Sequence, residues 1–272
     1  MIRKILSILF AVTAIAASGY DNDRYFTLMG EADKAIAGED WSLAEEKLTE
    51  ALRTQPANPS NVLLMSNLGM VRYHAGRYDE ALTTLDDAHI MAPASVTVLQ
   101  NRARILAELG RLEESYRDYT TIINLDTTLI EPRFYHAVIA MEMGLTEQAT
   151  NDVESMKIIN PSHRLTNLSE ATLLIRQGRY DEAIPPLSRV IDIEPAASHY
   201  ASRALCRLMT SQLGDAAEDI ASGLELDPLD GELYLYRALL NKMRYRQDDA
   251  EADGRQAIKL GIKENIVKSL IY

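Results

Sequence analysis

The residue types that carry most protein chemistry are thinly spread along this chain. The five histidines, His74, His89, His136, His163 and His199, share no metal-ligand spacing. There is no His-Glu-x-x-His, no phosphate-cradling glycine loop and no Gly-x-Ser-x-Gly. The single thiol, Cys206, can make neither an internal disulfide nor a paired-cysteine zinc site. Asp227-Pro228-Leu229-Asp230-Gly231 lacks the alternating oxygen ligands of a calcium loop and reads as a turn. The 40 carboxylates, among them Glu45, Glu46, Asp86, Asp87 and Asp152, fall mostly where helix surfaces and turns meet water. No catalytic residue, metal site or cofactor is expected, and the chain reads as a non-enzyme.

Residues suited to binding are more frequent. Asn67 and Asn101 lie 34 residues apart. Arg104, one turn beyond Asn101, suits a carboxylate, held bidentately where geometry allows, or pairs with Glu108 four residues on. Phe134, Val138 and Met141 form an apolar stripe at i, i+4 and i+7, beside the packing residues Ala137 and Ala140. The equivalent triplets are Ser66, Met70 and Tyr73; Leu168, Thr172 and Ile175; Ala201, Leu205 and Leu208; and Leu235, Leu239 and Lys242. Such stripes either pack as core or, where contiguous and exposed, mark a docking surface.

The elements that must position these residues repeat. Gly76, Gly110, Gly144 and Gly178 are spaced by 34 residues each time. Gly76-Arg77-Tyr78-Asp79-Glu80-Ala81-Leu82 returns almost unchanged at Gly178-Arg179-Tyr180-Asp181-Glu182-Ala183-Ile184. Pro56, Pro93, Thr127, Pro161, Pro195, Pro228 and Ile262 mark the far end of each unit. Leu64, Leu68, Val71 and Ala75 recur at helical spacing before Gly76, and Ala81, Leu82, Leu85 and Ala88 after it. Each unit is therefore two helices, with a glycine C-cap between them and a proline stopping the second. Ala81, Ala149, Ala183, Ala216 and Ala250 share one register of the second helices, which suits close helix crossing.

The period, the Gly-x-Tyr-x-x-Ala segments and the terminal prolines resemble the tetratricopeptide repeat family. The resemblance implies an all-α fold: an α-solenoid, a right-handed superhelix of about seven helix pairs. The units are read as 25–58, 62–95, 96–129, 130–163, 164–196, 197–230 and 231–262, with a capping helix over 263–272. It also implies that the first helices line a concave groove. The expected binding residues are thus Asn67, Met70, Tyr73, Asn101, Arg104, Phe134, Val138, Met141, Leu168, Ile175, Leu205, Leu208, Leu235 and Leu239. In peptide-binding relatives an asparagine at the matching place hydrogen-bonds a ligand backbone. The family's chaperone-tail clamp needs two lysines, two asparagines and an arginine. Those places hold Met29, Asp33, Asn67, Thr97 and Asn101, so a tail clamp is not expected. Three departures stand out: Asn58-Pro59-Ser60 lengthens the first link, Gln212-Leu213-Gly214 replaces the usual glycine spacing, and Pro185-Pro186 predicts a distorted or late-starting helix.

Composition sets the outer bounds. A formal charge of −12 argues against a nucleic-acid partner. Arg3 and Lys4 precede the uncharged run Ile5–Ala17, and small residues follow, so 1–18 reads as a secretory signal and 19–23 as a short linker. No later apolar run is long enough to span a bilayer. The expected function is an exported periplasmic or extracellular scaffold that binds a protein or peptide in its groove, a homodimer through the same surface being one variant. The alternatives are an enzyme or accessory subunit of envelope polysaccharide or peptide processing, and an architectural spacer binding through its acidic convex face.

Overall fold

The computed structural model describes residues 20–271, with side chains over 23–271. The expected signal segment lies outside the described residues. The helices are α1 (Tyr20–Ala37), α2 (Trp41–Thr54), α3 (Asn61–His74), α4 (Tyr78–Met91), α5 (Val96–Glu108), α6 (Leu112–Leu125), α7 (Ile130–Glu142) and α8 (Thr146–Ile159). They continue as α9 (Arg164–Arg176), α10 (Tyr180–Ile193), α11 (Ala197–Met209), α12 (Leu213–Leu226), α13 (Gly231–Met243), α14 (Gln247–Lys259) and α15 (Glu264–Ile271). There is no strand among the described residues. The fold class is an all-α solenoid.

The chain divides into two compact units, one ending at Leu145 and the other beginning at Thr146. In the first, α1 packs on α2, α3 on α4 and α5 on α6, and α7 follows against α6. In the second, α8 meets α9, the pairs α9–α10, α11–α12 and α13–α14 follow, and α15 lies on α13 and α14. The segment 19–23, read as a linker, is helical from Tyr20: it forms the first turn of α1.

Tight turns make the pairs. Gly76 takes φ +77°, and the Arg77 N–H closes onto the Arg72 carbonyl at 2.9 Å. A left-handed residue here satisfies carbonyls at the end of α3, and glycine reaches that conformation without Cβ strain. Gly110, Gly144 and Gly178 repeat the arrangement. In the departing unit the turn residue is Ser211, at φ +61°, while Gly214 lies inside α12. Tyr245 takes φ +61° at the next such turn.

Packing follows the small register. Ala81, Ala149, Ala183, Ala216 and Ala250 are fully buried. Ser115 occupies the same register in α6 and stays satisfied by donating to the Ala103 carbonyl at 2.6 Å. Where α3 meets α4, a Cβ on Gly69 would sit 2.7 Å from Leu85 Cγ, so only glycine fits that approach without displacing Leu85.

Pro185 and Pro186 do not delay α10, which starts at Tyr180 and runs unbroken to Ile193. They fall in its second turn, so the donors they lack would have served Asp181 and Glu182 near the helix start. Pro186, Leu187, Val190 and Ile191 are buried, and that burial offsets the two lost bonds.

Candidate interaction surface

Each compact unit presents its own first helices: α1, α3, α5 and α7 in one, and α9, α11 and α13 in the other. Adjacent first helices touch, α3 with α5 and α11 with α13. A first helix therefore packs against its own partner and also against its neighbours, and needs two apolar stripes for packing alone. Of the two readings of the second stripe, packing accounts for five of its expected members. Met70, Phe134, Met141, Leu208 and Leu235 are buried. Met70 packs with Leu85, Val98 and Ile105, Leu208 with Ile220 and Leu233, and Leu235 with Val267 and Ile271. Phe134 stands edge-on to Tyr135, with ring centroids 5.2 Å apart.

The other six expected apolar residues are half-buried: Tyr73, Val138, Leu168, Ile175, Leu205 and Leu239. Ile175 rests on Ala171, Leu174 and Leu187, and Leu239 on the cluster of Ala204, Leu208 and Leu233. Tyr73 leans on His74 and Tyr78, with centroids 5.2 and 5.4 Å away.

The three expected polar residues are buried as well. Asn101 donates through Nδ2 to Ser66 Oγ at 3.0 Å, while its Oδ1 has no partner. The Arg104 Nε is buried without an acceptor. Tyr119, on α6, has a buried hydroxyl with no partner; burial pushes its pKa well up, as does Tyr135, while the Arg104 charge opposes this. His74 stacks on Trp41 at 4.8 Å, and burial and then the Arg104 charge hold its imidazole below the ordinary range, against a smaller pull from Glu39. Asn67 is buried on α3, so its expected role as a ligand-facing amide is not one the free protein offers directly.

A recurrent ionic clasp went unread in the sequence. Arg102 grips Asp118 at 2.8 and 2.7 Å, Arg203 grips Asp219 at 2.7 Å, and Arg237 grips Asp253 at 2.9 and 2.6 Å. Each joins the two helices of one pair across sixteen residues. The recurring Arg-to-Asp interval was the available signal. Cys206 is fully buried, which pushes its thiol pKa up to about 12 and leaves it unreactive at neutral pH. Asp230 accepts from the Glu232 and Leu233 N–H groups as the N-cap of α13.

Residues 29–96 and 168–230 match the tetratricopeptide repeat family. Together these two stretches make up just under half of the chain. A solved tetratricopeptide repeat protein from Parabacteroides merdae superposes with a TM-score of 0.74 at 26% identity, over 92% of this chain and 98% of that one. ETO1-like protein 2 of Arabidopsis thaliana is 25% identical over 206 residues, which is 75% of this chain and 22% of that protein. The Hsp70-Hsp90 organizing protein of Triticum aestivum is 24% identical over 195 residues, 70% of this chain and 33% of its own length. This chain therefore spans only a fifth to a third of those two curated relatives. Tetratricopeptide repeat proteins are in general scaffolds for protein–protein interaction, and the fold is typically non-enzymatic.

Proposed function

We propose that this tetratricopeptide repeat chain is a non-enzymatic scaffold of the cell envelope that binds a partner protein segment on its first-helix side. The observation that carries this reading is the set of half-buried apolar side chains on α9, α11 and α13: Leu168, Ile175, Leu205 and Leu239. Each is partly held by its own packing and partly open to solvent. Covering an already ordered apolar side chain costs little further entropy, which suits a binding anchor. Placement in the envelope rests on Arg3, Lys4 and the uncharged run Ile5–Ala17.

The test is capture from an envelope extract by the full chain and by a Leu205→Gln, Leu239→Gln double variant. Capture is expected to fall at least tenfold while helicity by circular dichroism is retained. Equal capture by the folded variant would reject the surface. Recovery of the wild-type chain in the cytosolic rather than the periplasmic fraction would reject the envelope placement. If solution scattering shows a dimer that the double variant loses, the partner is a second copy of this chain.

A further inference from the structure

Two places in the chain carry more than the repeat asks of them. Beside the lengthened first link lies an open groove of about 330 Å³, lined by Leu52 of α2, Met65 and Leu68 of α3, and Thr83, Asp87 and Met91 of α4. Its lining is mostly apolar, and it has room for one large side chain rather than a helix. Asp87 is exposed there, and no cation among the described residues pairs with it, whereas the neighbouring Asp86 is taken by Arg102 at 3.0 Å. Between α13 and α14, Tyr245 is 97% exposed in a left-handed turn at φ +61°, where the matching turns of four other pairs use glycine. Glu39 and Ser211 also take positive φ, but their polar side chains are at home in water. A bulky aromatic residue is strained in that conformation, and a ring so exposed gains no packing within its own chain to offset the strain. Beside it Arg246 is exposed and pairs with no carboxylate among the described residues, while Arg244 is held by the Leu213 carbonyl at 2.7 Å.

We propose that Tyr245 of one copy of this chain seats in the groove of a second copy, with Arg246 of the first paired to Asp87 of the second. The two sites complement each other in polarity and charge: an aromatic ring meets Leu and Met side chains, and a guanidinium meets a free carboxylate. Copies of a chain with net charge −12 repel one another, so contact between them needs a local pair of opposite sign, and these two unpaired groups supply it. The chain presents both halves at equal concentration, which favours a second copy over any other bearer of a Tyr-Arg knob. Knob and groove lie in different parts of the chain, so the interface is heterologous, and copies add in a row or close into a ring. The inference is independent of the scaffold reading, whose anchors on α9, α11 and α13 it does not use.

The experiment is sedimentation velocity on the full chain over a range of concentrations, with circular dichroism to check that each variant is folded. The average mass is expected to rise above that of one chain as concentration rises. Tyr245→Gly, which relieves the turn and keeps the fold, should move that rise to at least tenfold higher concentration. Asp87→Arg should do the same, and adding Arg246→Asp to it should restore association. A photo-reactive residue introduced at Thr83, which lines the groove and is exposed, should crosslink to the peptide that carries Tyr245 of another copy. Three results would overturn the proposal: the mass of a single chain at every concentration, association that Tyr245→Gly leaves unchanged, or a crosslink to a different peptide or protein. Association lost in the Leu205→Gln, Leu239→Gln variant but kept in Tyr245→Gly overturns it as well, and puts the second copy on the scaffold surface instead.

Discussion

Asp219 is sealed from water between Arg203 and Arg207, each 2.7 Å away. One carboxylate thereby ties two points of α11 to α12, and removing it leaves two guanidiniums without a counter-ion. Asp219→Ala is expected to lower stability by about 2–4 kcal/mol, read as an earlier midpoint in urea unfolding. Glu182→Gln, which breaks the exposed Arg179–Glu182 pair, should leave that midpoint unchanged. His74 gives a separate pH signature. Its pKa is lowered on folding, so the unfolded chain takes up the proton first as pH falls through about 6.5, and stability drops there. His74→Phe keeps a ring against Trp41 and should flatten the melting temperature between pH 7.5 and 5.5. Glu45 works lower down: burial raises its pKa, but hydrogen bonds and charge from Arg77 and Arg72 win, so its contribution is lost only as pH falls below the ordinary carboxylate range. The partners of Asp219, Glu45 and His74 went unread in the sequence, because a contact between helices is a property of two elements brought together and the one-dimensional pattern shows only its members.

The helix ends were legible for a physical reason. A turn that needs a left-handed residue selects glycine, and a stop selects proline, so the repeat wrote itself in those two letters. Where the fold asks for the same turn without glycine, the letter is missing but the geometry persists, as at Ser211 and Tyr245. Tyr245 is 97% exposed, so its side chain contributes little packing that would be lost. Tyr245→Gly should therefore raise stability by roughly 0.5–1 kcal/mol, measurable as a higher melting temperature. The second stripe of the first helices was visible, but its spacing alone did not decide between packing and docking. Its spacing reports that something covers Met70 and Leu208, and neighbouring first helices do so before any partner arrives. Pro185 and Pro186 were misread. Proline breaks a helix through the donors it lacks, and two missing donors early in α10 cost less than the buried residues that follow return.

At the scale of the whole molecule, fold and task separate. Repeat period and turn chemistry determine how the chain folds, and every repeat must satisfy them, so they dominate the sequence. In the scaffold reading proposed above, a partner is met by a few side chains that the repeat does not dictate, such as Leu205, and one chain gives no background against which they stand out. The brevity of the connections has its own outcome. No link between described helices is longer than residues 55–60, and that one is knotted by Asn58 and Asn61 bonding back to Gln55. Segments so short and so bonded cannot lie extended in a protease cleft. Degradation through the described helices then has to wait for one of them to detach, so its rate in the presence of a protease is set by how rarely the packing opens, and nicking at a link between them offers no shortcut.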